Sequence, residues 1–292
     1  MRGRRLRDQA LVAAAVALLI AAAATCGGGA TLSPSPSSTA SPSVSPTTAT
    51  PTPTATPTMQ LSVYFLRDGK VAAAHRQVPQ TQGVAAAAFR ELLAGPTAVE
   101  RAAGLSSALA ADIRILGIRI SGGTAVADVG GGLVAAGDAQ RTLQRLAQLT
   151  YTATQFRTVQ RVLFLQDGDP LAVEGSGMDF TKPASRASFE SLTPAIFVEA
   201  PAVGDQVTSP LFMWGTANTF EATFWAEVQT PAGKVLVKKV VTATSGSGTR
   251  GTFRVRLPFH PTSEAGRLVV YERSMADGSR INVVIIPLVF AR

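Results

Sequence analysis

Apolar positions set three regimes along the chain. Residues 10–24 are continuously apolar, residues 27–60 hold no charged side chain and few large apolar ones, and from Leu61 apolar residues return in short periodic runs. Leu61-Ser62-Val63-Tyr64-Phe65-Leu66 reads as a strand, Arg67-Asp68-Gly69-Lys70 as its turn, and Val71 to Val78 as a second strand ending before Pro79. Val84 to Ala94 carries Ala85, Phe89, Leu92 and Leu93 at helical spacing and stops at Gly95-Pro96. Residues 97–111 read as loop with a short helix. Two strands, Ile113 to Ile120 and Thr124 to Val129, flank Ser121-Gly122-Gly123. A longer helix from Asp138 to Gln155 has Leu143, Leu146, Leu149 and Ala153 as its core stripe, with Arg141 and Arg145 on its solvated side. Val159 to Leu165, a turn at Asp167-Gly168-Asp169, and Pro170 to Val173 close the unit. The predicted order is ββαββαββ, an α+β domain over residues 61–175.

Residues 176–195 read as a polar linker containing Pro183 and Pro194, and beyond it the pattern is purely β. Seven strands are predicted: Ile196–Ala200, Leu211–Ala217, Ala222–Gln229, Lys234–Thr244, Thr252–Phe259, Arg267–Ser274 and Ile281–Phe290. Phe253, Val255, Leu257 and Phe259 alternate with Arg254, Arg256 and Pro258, the period of two of a half-buried strand. Turn residues separate the runs at Pro231-Ala232-Gly233, Ser245-Gly246-Ser247-Gly248 and Ala276-Asp277-Gly278-Ser279. Seven short strands over 196–292 fit an all-β immunoglobulin-like sandwich. Trp214 and Trp225 are expected in its core, a surface platform for a sugar being the alternative.

The N-terminus reads as an export signal. Arg2, Arg4, Arg5 and Arg7 precede the apolar run Ala10–Ala24, which is short for the ~20 residues of a membrane span. The run ends in Ala-Ala-Ala-Thr-Cys, and Cys26 is the chain's one cysteine. Here the chain resembles a bacterial lipoprotein signal, with Ala23 and Thr25 where such signals usually carry Leu and Gly or Ala. The resemblance implies a signal peptide over 1–25, lipidation of Cys26 and an extracytoplasmic protein anchored to the cell membrane. An uncleaved N-terminal anchor and simple secretion are the alternatives. Residues 26–60, built almost entirely from Ser, Thr, Pro, Ala and Gly, cannot bury enough apolar surface to fold and read as a disordered tether.

Charge and chemistry narrow the function. The formal charge of +8 falls to +5 once residues 1–25 take away four arginines and Asp8. No basic run is interleaved with aromatics, so nucleic acid is not an expected partner. The histidines, His75 and His260, lie in different predicted domains, and no nucleophile elbow, P-loop or dinucleotide fingerprint occurs. No catalytic residue, cofactor or metal site is expected. Asp167-Gly168-Asp169 lacks the full calcium-loop pattern and reads as a hairpin turn. The residues with a plausible polymer-binding role are Lys234, Lys238, Lys239, Arg254 and Arg256 on basic strands of the sandwich.

Several strings carry a family resemblance. Val63-Tyr64-Phe65-Leu66, Arg76-Gln77-Val78, Leu92-Leu93-Ala94-Gly95-Pro96-Thr97, Ala125-Val126-Ala127-Asp128-Val129 and Leu149-Thr150-Tyr151-Thr152-Ala153-Thr154-Gln155-Phe156 resemble the sporulation and spore-germination (GerMN) domain. Pro201-Ala202-Val203-Gly204 with Ser209-Pro210, Gly215-Thr216-Ala217, Phe220-Glu221-Ala222 and Ser274 to Ser279 resemble the immunoglobulin-like domain that commonly follows it. The resemblance implies an envelope-associated, non-enzymatic lipoprotein linked to spore formation or germination, and it offers no catalytic residues. Two functions fit: an interaction or scaffolding module for envelope proteins, or a module that binds peptidoglycan or anionic wall glycan.

Overall fold

The computed structural model describes residues 56–291. The expected signal peptide, Cys26 and nearly all of the expected tether lie outside the described residues.

The chain enters a hairpin of β1 (Thr58–Arg67) and β2 (Lys70–Pro79), paired from Thr58 with Pro79 to Arg67 with Lys70. The strand begins three residues ahead of the expected Leu61. Asp68 and Gly69 both take positive φ (51° and 73°), the two-residue turn whose twist suits a tight hairpin. Then come α1 (Val84–Leu93), α2 (Ala98–Ala102), β3 (Arg114–Ser121), β4 (Thr124–Gly130), α3 (Ala139–Ala153), β5 (Arg161–Gln166) and β6 (Asp169–Pro170). The strands β3-β4-β5-β6 form one sheet, in which α3 makes the crossover between the parallel strands β4 and β5. Asp167 and Gly168 are the β5–β6 turn, and the Gly168 N–H donates to Asp128 at 2.9 Å.

The family strings have local physical reasons. Thr97 caps α2 in a reciprocal box with Glu100, and buried Glu100 accepts both Nη atoms of Arg76, at 2.5 and 2.8 Å. Burial alone would raise the Glu100 carboxyl; the Arg76 guanidinium and the Thr97 amide outweigh it and hold it below the usual range. At the far end, α3 and the residues after it serve the open edge of β1. Gln155 accepts from the Ser62 N–H at 2.8 Å and donates to the Ser62 carbonyl, Thr152 accepts from Tyr64 N–H, and Gln148 donates to the Tyr64 carbonyl at 3.1 Å. The backbone groups of a two-stranded sheet are thereby satisfied by side chains. Arg145, expected in solvent, is instead 8% exposed, because the loops at Ala108 and Gly132–Leu133 fold over it and accept its N–H groups.

The C-terminal half is a sandwich of eight strands. One sheet runs β11-β10-β13-β14-β8, from β8 (Gln206–Val207), β10 (Thr223–Gln229), β11 (Val235–Thr242), β13 (Ala265–Arg273) and β14 (Arg280–Phe290). The other runs β12-β9-β7, from β7 (Ile196–Ala200), β9 (Leu211–Ala217) and β12 (Gly251–Leu257). The strand beyond the expected seven is β8, two residues paired in parallel with the end of β14. Leu211, Met213, Phe253 and Leu257 face Phe224, Ala226, Leu268 and Val270 across a buried interior, with Phe224 and Phe253 centroids 4.9 Å apart. Gly215 lets β7 pass close by: a Cβ there would stand 2.0 Å from the Phe197 carbonyl oxygen.

Candidate functional site

The segment 176–195 packs between the two domains. Phe180, Ala184, Phe189 and Leu192 are buried, Phe180 and Phe189 stack at 6.2 Å, and Ala184 bridges to Val162 of β5. Phe180, Phe189 and Leu192 each contribute about 1.5–3 kcal/mol on burial, which fixes the segment in place. Its 3-10 turns (Arg186–Leu192) deliver Arg186 to a junction of β1, α3 and β7. The guanidinium donates to Glu199 at 2.7 Å, to Tyr64 Oη at 3.1 Å and to Thr154 Oγ1 at 2.8 Å, and lies over the rings of Tyr64 and Tyr151. Tyr64 donates to the other Glu199 oxygen at 2.5 Å, and Tyr151 shares a hydrogen bond with Thr193. Phe197 of β7 closes the cluster edge-on to Tyr151 at 5.5 Å.

Burial, and next the Glu199 charge, push the Tyr64 phenol well above its ordinary pKa. Burial by itself would lower Arg186; the attraction of Tyr64 and Glu199 outweighs it and the net direction is upward. A second contact across the junction joins His75 of β2 to Asp205 at 2.7 Å, and a third joins Glu190 to Arg250, at 2.8 and 2.9 Å. The Arg250 hydrogen bonds hold the Glu190 carboxyl below its ordinary range against its partial burial.

This docking decides which part of the sandwich stays open. On the outer face of the three-stranded sheet, Phe197 and Glu199 of β7 are covered by the N-terminal domain. Beyond them the same face presents Phe212 (62% exposed) and Trp214 (38% exposed) of β9 beside Arg254 and Arg256 of β12. The register pairs Arg254 with Trp214 and Arg256 with Phe212, and the Arg256 guanidinium lies 5.8 Å from the Phe212 ring centroid. Neither arginine pairs with a carboxylate among the described residues. Two aromatic faces thus alternate with two arginines that meet rings and no carboxylate among the described residues.

The five sequence-selected cations divide between the two sheets. Arg254 and Arg256 meet the aromatics just described. Lys238 sits on β11 and is engaged: it bridges to buried Glu227 at 3.4 Å and lies 4.5 Å from the Trp225 ring. Glu227, 1% exposed, also accepts from Tyr271 at 2.7 Å and from Arg280. Burial raises its carboxyl, but these partners prevail and the shift is downward. Lys239 is exposed one register position away, opposite Ala226, and Lys234 precedes the strand. The tryptophans are not core residues. In β9 the inward phase is Leu211, Met213, Gly215 and Ala217, which places Trp214 outward; in β10 the inward phase is Phe224, Ala226 and Val228, which places Trp225 on the outer face under Lys238. Among the described residues no three His, Cys, Asp or Glu side chains converge as a metal site.

The described residues thus form an α+β domain docked on an eight-stranded sandwich. Residues 62–172 match the family described as sporulation and spore germination, and residues 195–279 match the immunoglobulin-like domain of bacterial spore germination. The chain carries one domain of each family, in that order. Among solved structures it is similar to the tandem GerMN domains of the sporulation protein GerM from Bacillus subtilis (22% identity, TM-score 0.37, 45% of this chain and 46% of that one). It is also similar to the first GerMN domain of the same protein (24% identity, TM-score 0.36, 44% of this chain and 98% of that one). The match therefore spans about half the length of the tandem-domain chain. No curated protein matches.

Proposed function

We propose that this protein is a non-catalytic interaction protein of the cell envelope, held outside the cytoplasmic membrane by lipidated Cys26. Its two docked domains act as one block, and its contact face is Phe212, Trp214, Arg254 and Arg256. The observation that carries this reading is the exposed pairing of those two aromatics with two arginines that have no carboxylate partner among the described residues. Trp and Arg are the side chains that most often anchor protein interfaces, and the unpaired charge suits an acidic surface on an envelope protein. Membership of the two spore-germination families supports a role in that process, and the lipoprotein-like N-terminus supports the location.

A second reading has the same face bind an anionic wall polymer. The aromatic rings favour it, because sugars stack on such faces while arginines take the charge. Co-sedimentation of the full chain with purified sacculi, at low and at moderate salt, separates the two. Wall binding that survives moderate salt and is lost in Trp214→Ala supports the polymer. Absence of wall binding at both salts excludes the polymer and leaves the protein partner.

A further inference from the structure

Separate stretches of chain enclose a cleft of about 430 Å3 between the two domains, lined by none of Phe212, Trp214, Arg254 and Arg256. The β1–β2 turn and the start of β2 form one wall; residues 193–198, Val203 and, on β14, residues 282–284 and Ile286 contribute the other. The floor is apolar and buried, made by Val71, Ala73, Ile196, Val198, Val203 and Ile286. A volume of this order is typical of small-molecule sites, roughly 300–1,000 Å3.

The rim is cationic on one side. Arg67 donates through Nη1 to the Ile285 carbonyl at 2.9 Å, and Lys70 donates to the Ser191 carbonyl at 2.5 Å. Although the Lys70 charge reaches Glu190 and Asp68 shares the rim, neither cation forms a salt bridge with a carboxylate among the described residues. The Arg67 Nε is buried and has no hydrogen-bond partner among them. Burial weakens the hold of Arg67 on its proton, with the adjacent Asp68 charge opposing. Across the cleft, Arg250 is already neutralised by Glu190. A buried donor left unpaired costs about 1–3 kcal/mol, and a guanidinium with spare N–H groups is shaped for a carboxylate or phosphate.

We propose that this cleft binds a small amphipathic anion, its carboxylate or phosphate on Arg67 and Lys70 and its apolar body on Val71, Ala73, Val203 and Ile286. Because both domains supply walls, occupancy also strengthens their docking by mass action. The test is calorimetric titration of the full chain with decanoate, decyl phosphate and uncharged decanol. Arg67→Met keeps the apolar stem and removes the charge, and its melting temperature is recorded alongside. At least one anion should bind the wild type, and Arg67→Met should weaken it about tenfold, the loss of one charged hydrogen bond, with decanol unaffected. The preferred head group then distinguishes a carboxylate from a phosphate ligand. Failure of both anions to bind, or equal affinity in wild type and Arg67→Met, overturns the proposal.

Discussion

Arg186 and Glu199 meet at 2.7 Å where the sandwich docks on the N-terminal domain, and the Tyr64 hydroxyl holds the other carboxylate oxygen. They stand thirteen positions apart in sequence, yet one belongs to the connecting segment and the other to β7. Removing one partner leaves the other charge buried, at a cost of about 3–5 kcal/mol. Glu199→Gln and Arg186→Met should therefore lower the urea midpoint of the whole chain. They should also split the transition, because the junction is what couples the domains. Arg186→Lys keeps the charge but loses the two-tyrosine stacking and should fall between.

Acid and alkali act on different groups. Glu100 and Glu190 are held below the ordinary carboxylate value of about 4.3. Their stabilisation is complete above that value and is lost as pH falls through the lowered folded-state pKa. Tyr64 is raised, so its contribution is complete below its ordinary value of about 10 and declines as pH rises beyond it. Denaturation midpoints measured from pH 3 to pH 11 should show a plateau between these limits. Glu100→Gln should lower the plateau and flatten the acid limb, and Tyr64→Phe should flatten the alkaline limb.

The close approach of β7 and β9 depends on Gly215. Gly215→Ala places a methyl against the Phe197 carbonyl, and overpacking of this kind costs about 1–3 kcal/mol or more. A thermal melt should show a fall of several degrees. Little change would mean that β7 can move away, and with it Phe197 and the junction.

The strand pattern was largely legible in the sequence, because a half-buried strand alternates with period two. Phe253, Leu257 and Phe259 point inward and Arg254 and Arg256 outward, as that period requires. In β9 the run Leu211-Phe212-Met213-Trp214 is apolar in both phases, so periodicity does not say which phase faces the core. Close packing at Gly215 decides it, and that is a tertiary fact. Arg145 was misplaced for a related reason: spacing assigns it to a helix face, but only the folded loops at Ala108 and Gly132 show that the face is covered. The segment 176–195 has a polar composition, and its few apolar residues, Phe180, Phe189 and Leu192, are the ones that fix it. The interdomain cleft draws on residues more than 200 positions apart, Arg67 and Ile286 among them, and no local pattern marks it.

On the exposed face, stability and binding should separate. Phe212→Ser and the double change R254E/R256E touch exposed side chains, where substitutions usually stay within about 0.5 kcal/mol. Melting temperatures should hold near the wild-type value while association in whole-cell envelopes is lost. A large drop in stability would mean that these residues serve the fold instead.

The most direct measurement of the contact face is photo-crosslinking in intact cells, with a photoreactive residue placed at Phe212 and, in a second strain, at Lys239 on the other sheet. The account predicts a discrete crosslinked species from position 212, absent from position 239 and abolished by R254E/R256E. No adduct from 212, or the same adducts from both positions, would contradict it.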